Sequence, residues 1–220
     1  NCVMGVSSVY LIFYNLLQTL GWSCILYNVA INYVNEEGPE QVWPKVATLL
    51  ILFQNLAILE VLHCIVGIVR APVVTTFIQV LSRVAVTYVC MEIPPSREGY
   101  IFSLLMISWS VIEIVRYSFY ACSLLNVNIY IHKWLRYTLF IVLYPSGVFS
   151  EIATLYFAIP YLQVNGLFGL SDFLVIDPLT LWALIVYVII FLYLPGFPVM
   201  FGHMVTQRKK QLSPKRKTKQ

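Results

Sequence analysis

Apolar runs long enough to cross a bilayer recur along this 220-residue chain, separated by short polar stretches and, before the last run, by a longer loop at 162–178. A spanning helix needs about 20 apolar residues. Four such runs cover about Ser8–Val34, Val46–Val69, Val73–Met91 and Tyr100–Leu125. A fifth follows the polar stretch Asn126–Lys133 and reaches about Tyr161, and a sixth covers about Leu179–Met204. Composition closes off the alternatives. Hydrophobic residues make up 60% of the chain and charged residues 11%, against about 45–50% and 25% in soluble domains. An ordinary soluble domain and a disordered chain are both excluded. The expectation is an all-α polytopic membrane protein, a six-transmembrane-helix bundle over residues 1–207 with a basic tail at 208–220. No internal repeat is evident.

The net charge is +4, and its placement matters more than its size. Arg208, Lys209, Lys210, Lys215, Arg216, Lys217 and Lys219 crowd the tail. With six spans both termini share a side. Arg70, Lys133, Arg136 and the tail then oppose only Lys45 and Arg97. Short loops rich in Lys and Arg stay cytosolic, so both termini are expected in the cytosol. The basic residues form no folded patch, which argues against nucleic acid as a partner. Lys217 lies at the fourth position from the end but Thr218 at the third, an incomplete dilysine retrieval pattern. The first residues lack the basic region of a cleavable signal peptide. Five cysteines are scattered without metal-ligand spacing, so neither a zinc site nor a disulfide framework is expected.

Ionisable residues inside spans are costly and mark a site or a buried pair. Here they are Glu60, His63, Arg83, Glu113, Arg116, Arg136 and Glu151. Counted from the tail-side helix ends, Glu60, Arg83, Glu113, Arg116 and Tyr144 fall about 14–18 Å deep, at 1.5 Å per residue. Four helices therefore bring polar groups to one layer. Glu60 and Glu113 suit structural partners in that layer, and Glu113 and Arg116 are spaced to pair along one helix. Arg83, Arg116 and Tyr117 are candidates for binding a substrate, because a guanidinium offers several donors in a fixed fork. His63, near a helix end, reads as a satisfied polar residue.

The segment Tyr144-Pro145-Ser146-Gly147-Val148-Phe149-Ser150-Glu151 is the sharpest feature. Tyr144 and Glu151 are two helical turns apart and share a face, about 10.5 Å apart along the axis. Pro145 removes a backbone hydrogen bond and predicts a kink. Gly147 lets another backbone or a substrate approach. A phenol and a carboxylate facing one cavity supply an acid and a base.

His63-Cys64-Ile65-Val66-Gly67-Ile68-Val69-Arg70 matches HCx5R, the phosphate-binding string of protein tyrosine phosphatases. That chemistry needs a strand, an exposed turn and a helix N-terminus. Here the string is expected to be the apolar end of a membrane helix, closed by a snorkelling Arg70.

Several blocks together resemble the very-long-chain 3-hydroxyacyl-CoA dehydratases: LEVLHCIVGIVRAP from Leu59, QVLSR from Gln79, SWSVIEIVRYSFY from Ser108, WLRYTLFIVLYPSGVFSE from Trp134, and HMVTQRKKQL from His203. The resemblance covers nearly the whole chain. It implies an endoplasmic-reticulum enzyme that dehydrates a (3R)-3-hydroxyacyl-CoA to a trans-2-enoyl-CoA during fatty-acid elongation. It implies Tyr144 and Glu151 as the catalytic pair and no metal or redox cofactor. The implied partners are the acyl-CoA, the bilayer, and the condensing, ketoreductase and enoylreductase enzymes of the cycle. Elimination beta to a thioester needs a base at C2 and an acid at the departing hydroxyl, which Glu151 and Tyr144 can provide. Tyr144 can equally donate to the thioester oxygen. Lys133 and Arg136, at the cytosolic mouth, are expected to meet CoA phosphates. A non-catalytic scaffold of the same fold, or a small transporter, is the alternative. A transporter predicts inverted repeats, which the chain lacks.

Overall fold

The computed structural model describes residues 5–165 and 178–212, and every regular element in them is helical. The order is α1 (Val6–Val34), α2 (Val42–Leu56), α3 (Ile58–Ile65), α4 (Val73–Glu92), α5 (Gly99–Leu124), α6 (Tyr130–Arg136), α7 (Phe140–Asn165) and α8 (Pro178–Leu212). Five segments among the described residues are long and apolar enough to cross a membrane: α1, α2 with α3, α4, α5, and α6 with α7. The expected sixth span, Leu179–Met204, falls within α8. That helix also carries Arg208, Lys209 and Lys210. Most of the expected loop after Tyr161, and Lys215, Arg216, Lys217 and Lys219, lie outside the described residues.

The helices are apolar outside and partly polar inside, as lipid solvent demands. Val6, Val9, Phe13 and Leu20 of α1 are exposed, while Asn15, Gln18 and Asn32 on its other face are buried. Helix α5 is the hub and packs against α1 and α7. Trp22, Leu50, Phe102, Leu105, Met106 and Trp109 belong to the common core. At Gly21 the α1 backbone meets the Phe53 ring in space that a Cβ would occupy.

Helix ends are closed by backbone geometry. After α5, Asn126 adopts φ 58°, and the N–H groups of Asn126 and Val127 return to the carbonyls of Ser123 and Cys122. This Schellman ending satisfies carbonyls that the helix leaves over. Glu36 does the same after α1, with φ 56°. The Arg97 guanidinium closes α4 by donating to the carbonyls of Cys90 (3.0 Å) and Met91 (2.7 Å).

Three boundaries differ from the sequence expectation. The second span is broken at Ala57 although no Pro or Gly stands there. Helix α1 reaches into the break: the Tyr14 hydroxyl donates to the Leu56 carbonyl (3.2 Å), and the Glu60 N–H turns to the Ala57 carbonyl (3.0 Å). Side chains that insert into a helix ladder break it. The same span ends at Ile65 rather than Val69, because Gly67 turns the chain at φ 78°. The fifth span is interrupted at residues 137–139, between α6 and α7, while the helix runs on through Pro145.

Candidate active site

The polar layer is a connected cluster. Glu113, 2% exposed on α5, is ion-paired with Arg83 of α4 and with Arg116 one turn along its own helix. Arg116 Nε donates to Glu113 Oε2 at 2.7 Å. Its two terminal nitrogens reach the Glu60 carboxylate on α3 at 3.1 and 3.0 Å. Tyr117 also donates to Glu60 and accepts from Arg116 at 2.7 Å. Two carboxylates and two guanidiniums thus balance one another, which buried charge requires.

Helix α1 seals this cluster on one side. The Tyr14 hydroxyl reaches Glu60 at 3.4 Å and accepts from Gln18 at 3.1 Å. His63, also buried, bonds the Tyr10 hydroxyl at 2.8 Å and sits edge-on to Tyr14. The Ala57 break lies immediately before α3, which presents Glu60 to the layer. Sequence reasoning gave α1 no role here. The only trace of one is the Tyr14–Gln18 spacing of four residues, which puts both on one helix face.

The cluster meets α7 through an indole. The Arg83 guanidinium carbon lies 5.1 Å from the centre of the Trp109 ring. The Trp109 Nε1–H donates to Glu151 Oε1 at 2.8 Å. The cation sits on the negative ring face and the anion at the positive edge, as the indole quadrupole prefers. Ser108 and Ser146 bond at 3.0 Å beside this contact. Gly147 faces Ser108, where a Cβ would find ordinary contact at 4.0 Å.

Tyr144 is half-buried on α7 and stacks on Phe197 and Phe201 of α8, with ring centres 5.2 and 6.5 Å away. It is not a member of the ion-paired cluster. Lys133 and Arg136 lie on α6, and Arg136 reaches the Tyr120 hydroxyl at 3.4 Å. Arg208 of α8 reaches Thr138 in the turn after α6, also at 3.4 Å. Arg83, Arg116 and Tyr117, expected to meet a substrate, have donors engaged by Glu60 and Glu113. No group of three His, Cys, Asp or Glu among the described residues is arranged to hold a metal.

The family model described as protein tyrosine phosphatase-like protein, PTPLA, matches residues 54–214. This chain belongs to that family. It is 40% identical over 212 residues to mouse very-long-chain (3R)-3-hydroxyacyl-CoA dehydratase 2, covering 94% of this chain and 82% of that one. Identity to the Caenorhabditis elegans very-long-chain (3R)-3-hydroxyacyl-CoA dehydratase hpo-8 is 41%, covering 96% and 98%. Identity to PASTICCINO 2 of Arabidopsis thaliana, also a very-long-chain (3R)-3-hydroxyacyl-CoA dehydratase, is 36%, covering 94% and 95%. No solved structure matches the chain.

The PTPLA string that looks like a phosphatase loop is not built as one. Cys64 is buried in α3, and its sulfur faces the Thr76 hydroxyl at 3.8 Å. The N–H groups of Val66, Gly67, Val69 and Ala71 bond carbonyls of their own segment. A phosphate cradle needs such groups turned outward.

Proposed function

We propose that this chain dehydrates very-long-chain (3R)-3-hydroxyacyl-CoA to trans-2-enoyl-CoA in fatty-acid elongation. Its 41% identity to a dehydratase, over almost the full length of both chains, carries this reading. In the proposed chemistry, the Glu151 carboxylate takes the C2 proton. The electrons of the C2–H bond form the double bond to C3, and the C3–O bond breaks. The departing hydroxide takes a proton and leaves as water. Tyr144 supplies an O–H to that hydroxyl or to the thioester oxygen, where negative charge builds during proton removal. When Tyr144 gives its proton, the one gained by Glu151 restores it; when Tyr144 instead bonds the thioester oxygen, the proton gained by Glu151 passes to the departing hydroxide. No electron is gained or lost overall, so the reaction calls for no redox partner.

Six spans complete this reading, with α8 as the sixth. Residues 1–207 form the membrane domain, and 208–220 form a basic tail in the cytosol beside the N-terminus. The Lys and Arg asymmetry between the two ends supports that orientation. CoA is large and anionic and stays at the cytosolic mouth, near Lys133 and Arg136. The thioester reaches the level of Tyr144 and Glu151, and the acyl tail continues among the helices. The endoplasmic-reticulum membrane, and the condensing, ketoreductase and enoylreductase enzymes as neighbours, follow from a place in elongation.

Purified protein in detergent tests the reaction when given (3R)- and (3S)-3-hydroxyacyl-CoA of several chain lengths. Formation of 2-enoyl-CoA from the 3R series, without added cofactor, is the expected result. No turnover at any length by folded protein would favour a non-catalytic scaffold.

A further inference from the structure

Trp109 is 1% exposed, and an indole N–H is a donor with no alternative role. A buried donor of this kind needs an acceptor, and the one it has is Glu151 Oε1, at 2.8 Å. The other side of the contact is equally determined. Arg83 lies over the indole face and is itself held by Glu113. The register between α5 and α7 is fixed beside it by the bond between Ser108 and Ser146. Three helices thus converge on the orientation of one carboxylate.

We infer that Trp109 is a positioning residue for dehydration: its N–H holds the Glu151 carboxylate at the angle from which it removes the C2 proton, and Arg83 with Glu113 holds the indole. This inference rests on the reading of Glu151 as the base. An anchored oxygen restricts how a carboxylate on a two-methylene stem can turn. Anchoring places the reacting oxygen before the substrate arrives, and a misplacement of about 1 Å costs about 100-fold in rate. Arg83 then acts through Trp109, without touching the substrate.

Trp109 also fills core volume, so truncation alone does not isolate its N–H. The test replaces Trp109 with benzothienylalanine, which keeps the ring shape and puts sulfur in place of the N–H. Trp109→Phe and Glu151→Gln are measured beside it. The readouts are kcat, KM and the deuterium isotope effect at C2. The isostere is expected to melt with the parent and to lose about 10- to 100-fold in kcat. Its KM should stay within about threefold, because the lost contact serves the transition state. The isotope effect should rise as proton removal becomes limiting. A parental kcat in the isostere, or a loss confined to KM, overturns the role of Trp109. Full activity in Glu151→Gln overturns the base assignment and the inference with it. An inactive Glu151→Gln beside a fully active isostere overturns the Trp109 role alone.

Discussion

The Arg116 guanidinium grips the Glu60 carboxylate with two nitrogens, at 3.1 and 3.0 Å, and so ties α3 to α5. Arg116→Met would leave Glu60 and Glu113 with only Arg83 to balance them. Removing one partner of a buried pair costs about 3 kcal/mol or more. Thermal unfolding in detergent checks this. Adding Glu60→Gln to Arg116→Met should recover stability, because one stranded charge disappears. A further loss would contradict the pairing.

Two glycines should respond in opposite ways to alanine. At Gly21 the new Cβ would run into the Phe53 ring, and overpacking of this kind costs about 1–3 kcal/mol. At Gly147 the new Cβ meets Ser108 at ordinary contact distance. There alanine should leave the melting temperature unchanged or raise it, since alanine favours helix by about 1 kcal/mol. Equal losses at both positions would contradict the close approach at Gly21.

The two roles open to Tyr144 separate on leaving-group chemistry. If the phenol protonates the departing hydroxyl, Tyr144→Phe should recover with a substrate whose C3 group leaves without a proton, such as a 3-fluoroacyl-CoA. A recovery of about 100-fold relative to the hydroxy substrate fits the usual worth of general acid catalysis. An equal defect on both substrates assigns Tyr144 to the thioester oxygen.

Arg136→Ala should raise KM about tenfold while changing kcat little, if its guanidinium meets CoA phosphates. The same variant should bind free CoA more weakly, and added salt should narrow the difference. A pure kcat loss would rule out the CoA contact.

Much of the architecture was legible in the sequence because lipid imposes a simple code. Among the described residues, five of the six expected spans appear as apolar segments of spanning length. Helix depth alone brought Glu60, Arg83, Glu113 and Arg116 to one level, and in the fold they bond one another. The missing parts depend on contacts between distant segments. Ala57 carries no breaking signal, since the side chain that reaches the Leu56 carbonyl beside it is Tyr14, 42 residues away. Trp109 reads as core by its type, and only its position opposite Glu151 gives its N–H a task. Tyr144 sits where α7 meets the aromatic rings of α8, a pairing that no local spacing encodes.

The most direct measurement is turnover of a long-chain (3R)-3-hydroxyacyl-CoA by the purified parent beside Glu151→Gln and Tyr144→Phe. The parent is expected to form 2-enoyl-CoA, and each variant to lose at least about 100-fold with folding intact. Parental turnover in either folded variant would contradict the assignment of Tyr144 and Glu151 as the catalytic pair.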